Sequence, residues 1–200
     1  MSKTLVLASQ NPGKVREINQ MLEALHFKVV PQSDFNVPEI EETGLTFVEN
    51  AILKARNAAR HAKLPAIADD SGLEVDALHG APGIYSARYA GHGAGDEQNL
   101  RKLLTDLADV PEAKRGARFQ CLMVYLRDES DPTPIICQGT WEGRILFEPK
   151  GKNGFGYDPI FFVPTHHCAS AELPPEIKNQ LSHRGQALRK MVAALSTGHI

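Results

Sequence analysis

Ile67-Ala68-Asp69-Asp70-Ser71-Gly72-Leu73 sets two adjacent carboxylates between two strand-like runs, 64–68 and 73–75. Aspartate is depleted in strands, so the pair predicts that a buried strand ends here and the chain turns. Two readings are open for such a place. Asp, Ser and Gly make ordinary turns, and carboxylates at a strand end also make a cation site. The polar clusters elsewhere in the chain bear on the choice.

Upstream, the first thirty residues read strand, polar loop, helix, strand. Thr4 to Ala8 is a short apolar run, and Ser9 to Gly13 is a polar loop. From Lys14, Val15, Ile18, Met21, Leu22 and Leu25 recur at helical spacing, and residues 28–31 read as a second strand. Gln32 to Gly44 is irregular and acidic. Thr46-Phe-Val-Glu49 has the capping-box pattern. Phe47, Ala51, Ala55, Ala58 and Ala62 then form one stripe of mostly small residues, which predicts a helix over about 46–62 packed closely on a sheet. Lys54 lies near that stripe.

Downstream, Gly80 to Tyr89 is a Gly/Pro-marked loop carrying Arg88, and 91–95 is Gly-rich. A short helix is expected over 99–107. Strands are expected over 117–126 and 135–141, joined by a polar hairpin loop. Gly151 to Asp158 is a second Gly-rich loop before the apolar run 159–163. A helix over 175–181, a break at Ser182-His-Arg-Gly185 and a last helix over 186–195 complete the reading.

The 200 residues suffice for a sizeable core. They are 42% hydrophobic and 23% charged, with net charge −2. That balance argues against a nucleic-acid coat or a membrane-surface protein, so an anionic ligand must be met by local basic residues. No apolar run approaches the roughly 20 residues of a membrane span. Cys121, Cys137 and Cys168 are scattered and odd in number, which fits reduced thiols. With no signal-peptide pattern at Met1-Ser2-Lys3-Thr4, a cytoplasmic location is expected.

Four clusters could carry chemistry. Ser9-Gln10-Asn11-Pro12-Gly13-Lys14 joins a strand to a helix start, where free N–H groups and the helix dipole can cradle an anion; a simple capped helix start is the other reading. It is not a P-loop, since Ala8 and Val15 stand where that motif needs Gly and Ser or Thr. Glu41-Glu42 is either a solvated loop pair or, with Asp69-Asp70, part of a site for a hard cation such as Mg²⁺. Phe155-Gly156-Tyr157-Asp158 offers aromatic faces for a base, or plain packing. Lys178, His183 and Arg184 supply positive charge, and arginine is well shaped for phosphate or base oxygens. Together they are the inventory of a nucleoside-triphosphate hydrolase that lacks a P-loop.

These motifs in order carry a resemblance: Ser9-x-Asn11-x-Gly13-Lys14, Glu42-x-Gly44-x-Thr46-Phe47, Ala68-Asp-Asp-Ser-Gly-Leu73, Pro82-Gly-x-Tyr85-Ser-Ala-Arg88, Gly154-Phe-Gly-Tyr-Asp158 and Ser182-His-Arg-Gly185. The chain resembles the inosine triphosphate pyrophosphatases, called XTP/dITP diphosphatases in bacteria, over essentially its whole length. The resemblance implies an α/β fold with a long mixed β-sheet flanked by helices, two lobes around a central nucleotide-binding cleft, and a single domain over 1–200. It implies a homodimer and Mg²⁺-dependent hydrolysis of dITP, ITP and XTP, non-standard purine nucleotides, to the monophosphate and pyrophosphate. By matching position, Ser9 to Lys14 would hold the triphosphate. Asp70 would bind Mg²⁺ and accept a proton from water, with Glu42, or its neighbour Glu41, as the metal-side acid. Ser71 would contact substrate, Phe155 to Asp158 and Lys178 would line the nucleotide site, and His183-Arg184 would read the base. Ser9-Gln10 stands where many members have Thr-Gly or Thr-x, and a serine hydroxyl serves the same contact.

Two rivals remain at this level. One is a pyrophosphatase for modified pyrimidine nucleotides. The other is a nucleotide-sensing or RNA-binding module without catalysis. Against the last, paired carboxylates repel phosphate unless a metal intervenes, so neither DNA nor RNA is expected as a partner.

Overall fold

The structure is a computed structural model that describes residues 3–9, 15, 18–19, 22 and 26–197. Seven strands form one mixed sheet in the order β2-β1-β3-β4-β5-β6-β7. They are β1 Lys3–Leu7, β2 Phe27–Pro31, β3 Ala66–Val75, β4 Gly116–Leu126, β5 Ile135–Ile145, β6 Phe161–Val163 and β7 Cys168–Ala169. β1 runs parallel to both β2 and β3, while β6 is antiparallel to β5 and β7. Val15, Ile18, Asn19 and Leu22 are helical, while the other residues of the helix expected from Lys14 lie outside those described. The α-helices after β2 among the described residues are α1 Phe47–Ala62, α2 Asp96–Asp106, α3 Pro175–Leu181 and α4 His183–Ser196. The mixed α/β architecture is the one expected.

The chain makes two compact units. The first comprises Met1–Asp70, Cys121–Gly139 and Gln186–Ile200; the second comprises Ser71–Gln120 and Thr140–Gly185. In the first unit the pleat of the strands sorts side chains by parity. Val6, Ala66, Ala68, Val124 and Leu126 pack with Ala51, Ala55, Ala58 and Ala59 of α1. Leu5, Leu7, Ile67, Cys121, Met123 and Tyr125 pack with Ile18, Leu22, Leu188, Met191 and Leu195. The alanine stripe therefore does what its small residues predict, bringing α1 close to the backbone of the sheet. Helix α1 begins at the capping box: the Thr46 hydroxyl accepts the Glu49 N–H at 3.3 Å, and Glu49 takes the Leu45 N–H at 2.9 Å.

The second unit has its own core around Leu73, Leu103, Phe119, Trp141, Ile160 and Phe161. Inside it lies Arg115, 1% exposed. Its guanidinium donates to the carbonyls of Leu107 at 2.8 Å, Ile145 at 3.0 Å and Leu146 at 3.0 Å. A buried charge is tolerable because its donors are used, and burial lowers the guanidinium pKa.

Two expectations are corrected. The aspartate pair does not end a strand: residues 66–75 are one continuous strand that lies between β1 and β4, and pairing with neighbours outweighs the low strand preference of aspartate. The helix break near the C-terminus is one residue, Ser182, not four. Its hydroxyl accepts the Gly185 N–H at 3.2 Å, so His183 and Arg184 form the first turn of α4.

Candidate active site

The unbroken β3 has a direct consequence for its two carboxylates. Side chains alternate along a strand, so Asp70 shares the α1 face with Ala66 and Ala68, and Asp69 points to the opposite face. Helical spacing puts Asn50 and Lys54 one turn apart on α1. These meet Asp70: Lys54 Nζ donates to Asp70 Oδ1 at 2.8 Å, and Asn50 Nδ2 donates to Asp70 Oδ2 at 3.3 Å. Lys54 also donates to Glu42 Oε1 at 2.8 Å. Glu42 and Asp70 thus converge on one positive charge, whereas Glu41 is exposed.

Burial and attraction compete in this pair. Burial alone would lower the Lys54 pKa, but the charge of Asp70 and bonds from Asp70 and Glu42 raise it above the usual value. At Asp70 burial dominates and raises the carboxyl pKa, despite the opposing pull of Lys54. Both groups hold protons more tightly than usual, and for a carboxylate that means a stronger base.

The donor set suits a hard cation. Mg²⁺ is commonly held by one or two carboxylates, with water and substrate phosphates completing its shell. Two carboxylate oxygens that already face one ammonium group fit that pattern. Among the described residues no group of three or more His, Cys, Asp or Glu side chains is placed to hold a metal.

A second cluster lies wholly within the second unit. Phe155 is 58% exposed, while Tyr157 is 5% exposed and donates its hydroxyl to Ser86 O at 2.8 Å. The loop therefore presents one aromatic face and uses the other ring as an anchor. Asp158 is buried and works from behind: it accepts the Phe155 N–H at 2.8 Å and the Ser170 hydroxyl at 2.8 Å, and it pairs with Lys178. Gly154, at φ +78°, leaves the room this needs, since a Cβ there would lie 2.1 Å from Asp158 Oδ2. Asp96 at the start of α2 accepts the Gly156 N–H at 2.8 Å. Two cations stand over the Phe155 ring, Lys178 Nζ at 5.1 Å and Arg184 Cζ at 5.7 Å from its centroid. Arg184 Nη2 also donates to the Ser71 hydroxyl at 3.3 Å. His183 is buried and stacks on Phe119, with centroids 4.8 Å apart and planes 12° off parallel.

Of the residues expected from sequence, the structure brings Glu42 and Asp70 together in the first unit. It brings Ser71, Phe155, Lys178, Asp158 and Arg184 together in the second. Ser9 follows β1, with its N–H on Leu7 O at 2.7 Å. Gln10, Asn11, Pro12, Gly13 and Lys14 lie outside the described residues. Sequence reasoning gave no role to Asn50, Lys54 or Asp96. The first two carried a signal, a polar pair four apart directly after a capping box; Asp96 carried none, because its partner is a backbone N–H sixty residues away.

Fold and site together define an α/β protein with an acidic cluster and an aromatic–cationic cluster. The profile of the Ham1 family matches residues 5–194, and the chain belongs to that family. A protein of Vibrio parahaemolyticus named dITP/XTP pyrophosphatase is 64% identical over 97% of both chains. One of the same name from Escherichia coli K12 is 58% identical over 97% of this chain and 98% of its own. The solved HAM1 protein from Coxiella burnetii superposes with a TM-score of 0.94 at 52% identity, covering 98% of this chain and 100% of that one.

Proposed function

We propose that this chain is a nucleoside-triphosphate pyrophosphatase that hydrolyses dITP, ITP and XTP to the monophosphate and pyrophosphate, with Mg²⁺. The observation that carries this reading is the convergence of Asp70 and Glu42 on one cation beside Asn50, in a chain that matches proteins named for that activity along nearly its whole length.

Each cluster has its own task in this reading. Asp70 and Glu42 would hold the metal, with the exposed Glu41 left outside the cluster. Bound Mg²⁺ would neutralise phosphate charge and acidify water. Asp70, the more basic for being buried, takes the proton of the attacking water. The oxygen of that water bonds to phosphorus as the bridge between α- and β-phosphates breaks, and pyrophosphate departs. Ser9 to Lys14 would hold the triphosphate through N–H groups and the Lys14 charge. Phe155 would stack on the base, with Tyr157, Asp158, Gly156 and Lys178 fixing its loop. Ser71, His183 and Arg184 would meet the nucleoside, Arg184 donating to an oxygen at position 6 of the purine.

The test is pyrophosphate release by the purified protein with Mg²⁺ and a panel of dITP, XTP, the four standard nucleotides and modified pyrimidine nucleotides. The expected result is release from dITP and XTP far above the rest. Preference for a modified pyrimidine would reassign the substrate, and no release from any nucleotide would leave a binding module. We also infer a homodimer in the cytoplasm. Sedimentation at micromolar concentration checks the first, and a single species of 21.9 kDa would reject it; fractionation of cells checks the second. Among the described residues no helix is long and apolar enough to cross a membrane.

A further inference from the structure

Asn50 is fully buried near the start of α1, and buried amides keep their donors and acceptors where these are used. Its Oδ1 accepts the Gly44 N–H at 2.8 Å, and its Nδ2 donates to Asp70 Oδ2 at 3.3 Å. An amide turned over by 180° has the same shape, so only its partners set its direction. A backbone N–H can only donate. Gly44 therefore demands Oδ1, and the other end of the amide must then offer its NH₂ to Asp70. Glycine makes this approach possible: a Cβ at position 44 would lie 2.7 Å from Asn50 Oδ1 and 2.6 Å from Glu49 Cβ.

The second oxygen of Asp70 is met differently. Lys54 reaches it with an ammonium on a flexible four-carbon stem and shares that ammonium with Glu42. One oxygen of the carboxylate thus meets an adjustable donor, and the other meets a rigid one whose direction the backbone dictates.

We propose that Asn50 is the positioning residue of Asp70, fixing the direction in which that carboxylate presents its lone pairs. The role rests on the hydrolytic reading of the acidic cluster. The same bonds would also serve a mere tether that holds the Glu42–Gly44 segment to α1, and two variants separate the roles. Asn50→Asp keeps an acceptor for Gly44, so a tether survives in it, but it faces Asp70 with an acceptor in place of a donor. Asn50→Leu removes both bonds without adding charge.

Side chains that orient a ligating or reacting group typically change metal affinity or activity about 10–100-fold when removed. Both variants are expected to lose turnover of dITP on that scale, with KM within about twofold of the parent. Asn50→Leu is expected to bind Mn²⁺, titrated alone and followed by electron paramagnetic resonance, about tenfold more weakly. Parental turnover in Asn50→Asp overturns the proposal, whatever Asn50→Leu does. If circular dichroism shows that Asn50→Leu does not fold, the turnover of Asn50→Asp decides alone. If the parent releases no pyrophosphate from dITP, the functional reading has failed separately. Mn²⁺ affinity in Asn50→Leu then decides, and an unchanged value overturns the positioning role.

Discussion

Asp69 and Asp70 are chemically identical neighbours on opposite faces of β3, and the pleat alone separates them. Asp70→Asn keeps the shape but removes the charge that faces Lys54. Turnover of dITP should fall by roughly 10³-fold, the scale of a central electrostatic group, with the circular dichroism spectrum retained. Asp69→Asn, on the other face, should cost far less; a larger loss there than at Asp70 would reverse the assignment. Base choice is tested at Arg184. Its guanidinium offers donors only, which suits a 6-oxo purine and opposes the amino group of adenine. Arg184→Ala should lower kcat/KM for dITP far more than for dATP, whereas Phe155→Ala, which loses stacking, should lower both. Equal scaling by Arg184→Ala would make it a phosphate ligand. Glu42, Asp70, Asp158, Lys178 and Arg184 were legible as residue types in the sequence, whereas Lys54 and Asp96 were given no role. Their partners were not, because the Asp70–Asn50 and Ser71–Arg184 bonds span 20 and 113 residues.

Elements were most legible where local chemistry decides them. Thr46 and Glu49 announce α1 to the residue, since a capping box is satisfied within four positions. The continuity of β3 was hidden because it depends on β1 and β4, which are distant in sequence. The connection between β4 and β5 shows how strongly local bonds can hold an element. Asp131 is buried there; it accepts the Arg127 N–H at 2.9 Å and the Thr133 N–H at 3.0 Å, and pairs with the Arg127 guanidinium. The Arg127 side chain, opposed by burial, holds the Asp131 carboxyl well below the usual carboxylate range. A depressed folded pKa contributes stability above the unfolded value, near 4, and that stability fades as pH falls toward the folded value. Asp131→Asn should therefore cost about 1–3 kcal/mol at pH 7, and the gap to the parent should narrow at pH 3. Urea unfolding at the two pH values measures both, and an equal gap would mean that the ionised carboxylate is not the source.

For the molecule as a whole, Arg115 is a test of how the second unit is held. Arg115→Leu matches much of its bulk but removes the donors to the carbonyls of Leu107, Ile145 and Leu146, of which Leu107 O keeps the Val110 N–H at 3.0 Å. A loss on the order of 3 kcal/mol is expected in urea unfolding, and Arg115→Lys should not restore it, because an ammonium lacks the planar fork. Nothing in the sequence flagged this arginine, whose acceptors are backbone groups. The mixed sheet followed from the resemblance that the ordered motifs carry, which also implied two lobes, but where the two compact units divide was not legible: their boundaries fall inside β3, β4, β5 and α4, where no linker marks them. Asp70 ends the first segment of one unit and Ser71 begins the other. The alternation in β3 also bears on how the strand finds its place during folding. A shift of one residue would bring Asp69 round to Lys54 and keep a carboxylate beside the ammonium, so charge alone would accept the wrong alignment. The same shift would drive Ile67 against Ala51, Ala55 and Ala58, where only alanine-sized side chains fit. Proofreading of the alignment of Asp70 is thus done by methyl groups: bulk at Ile67 rejects the error that a doubled aspartate would let pass.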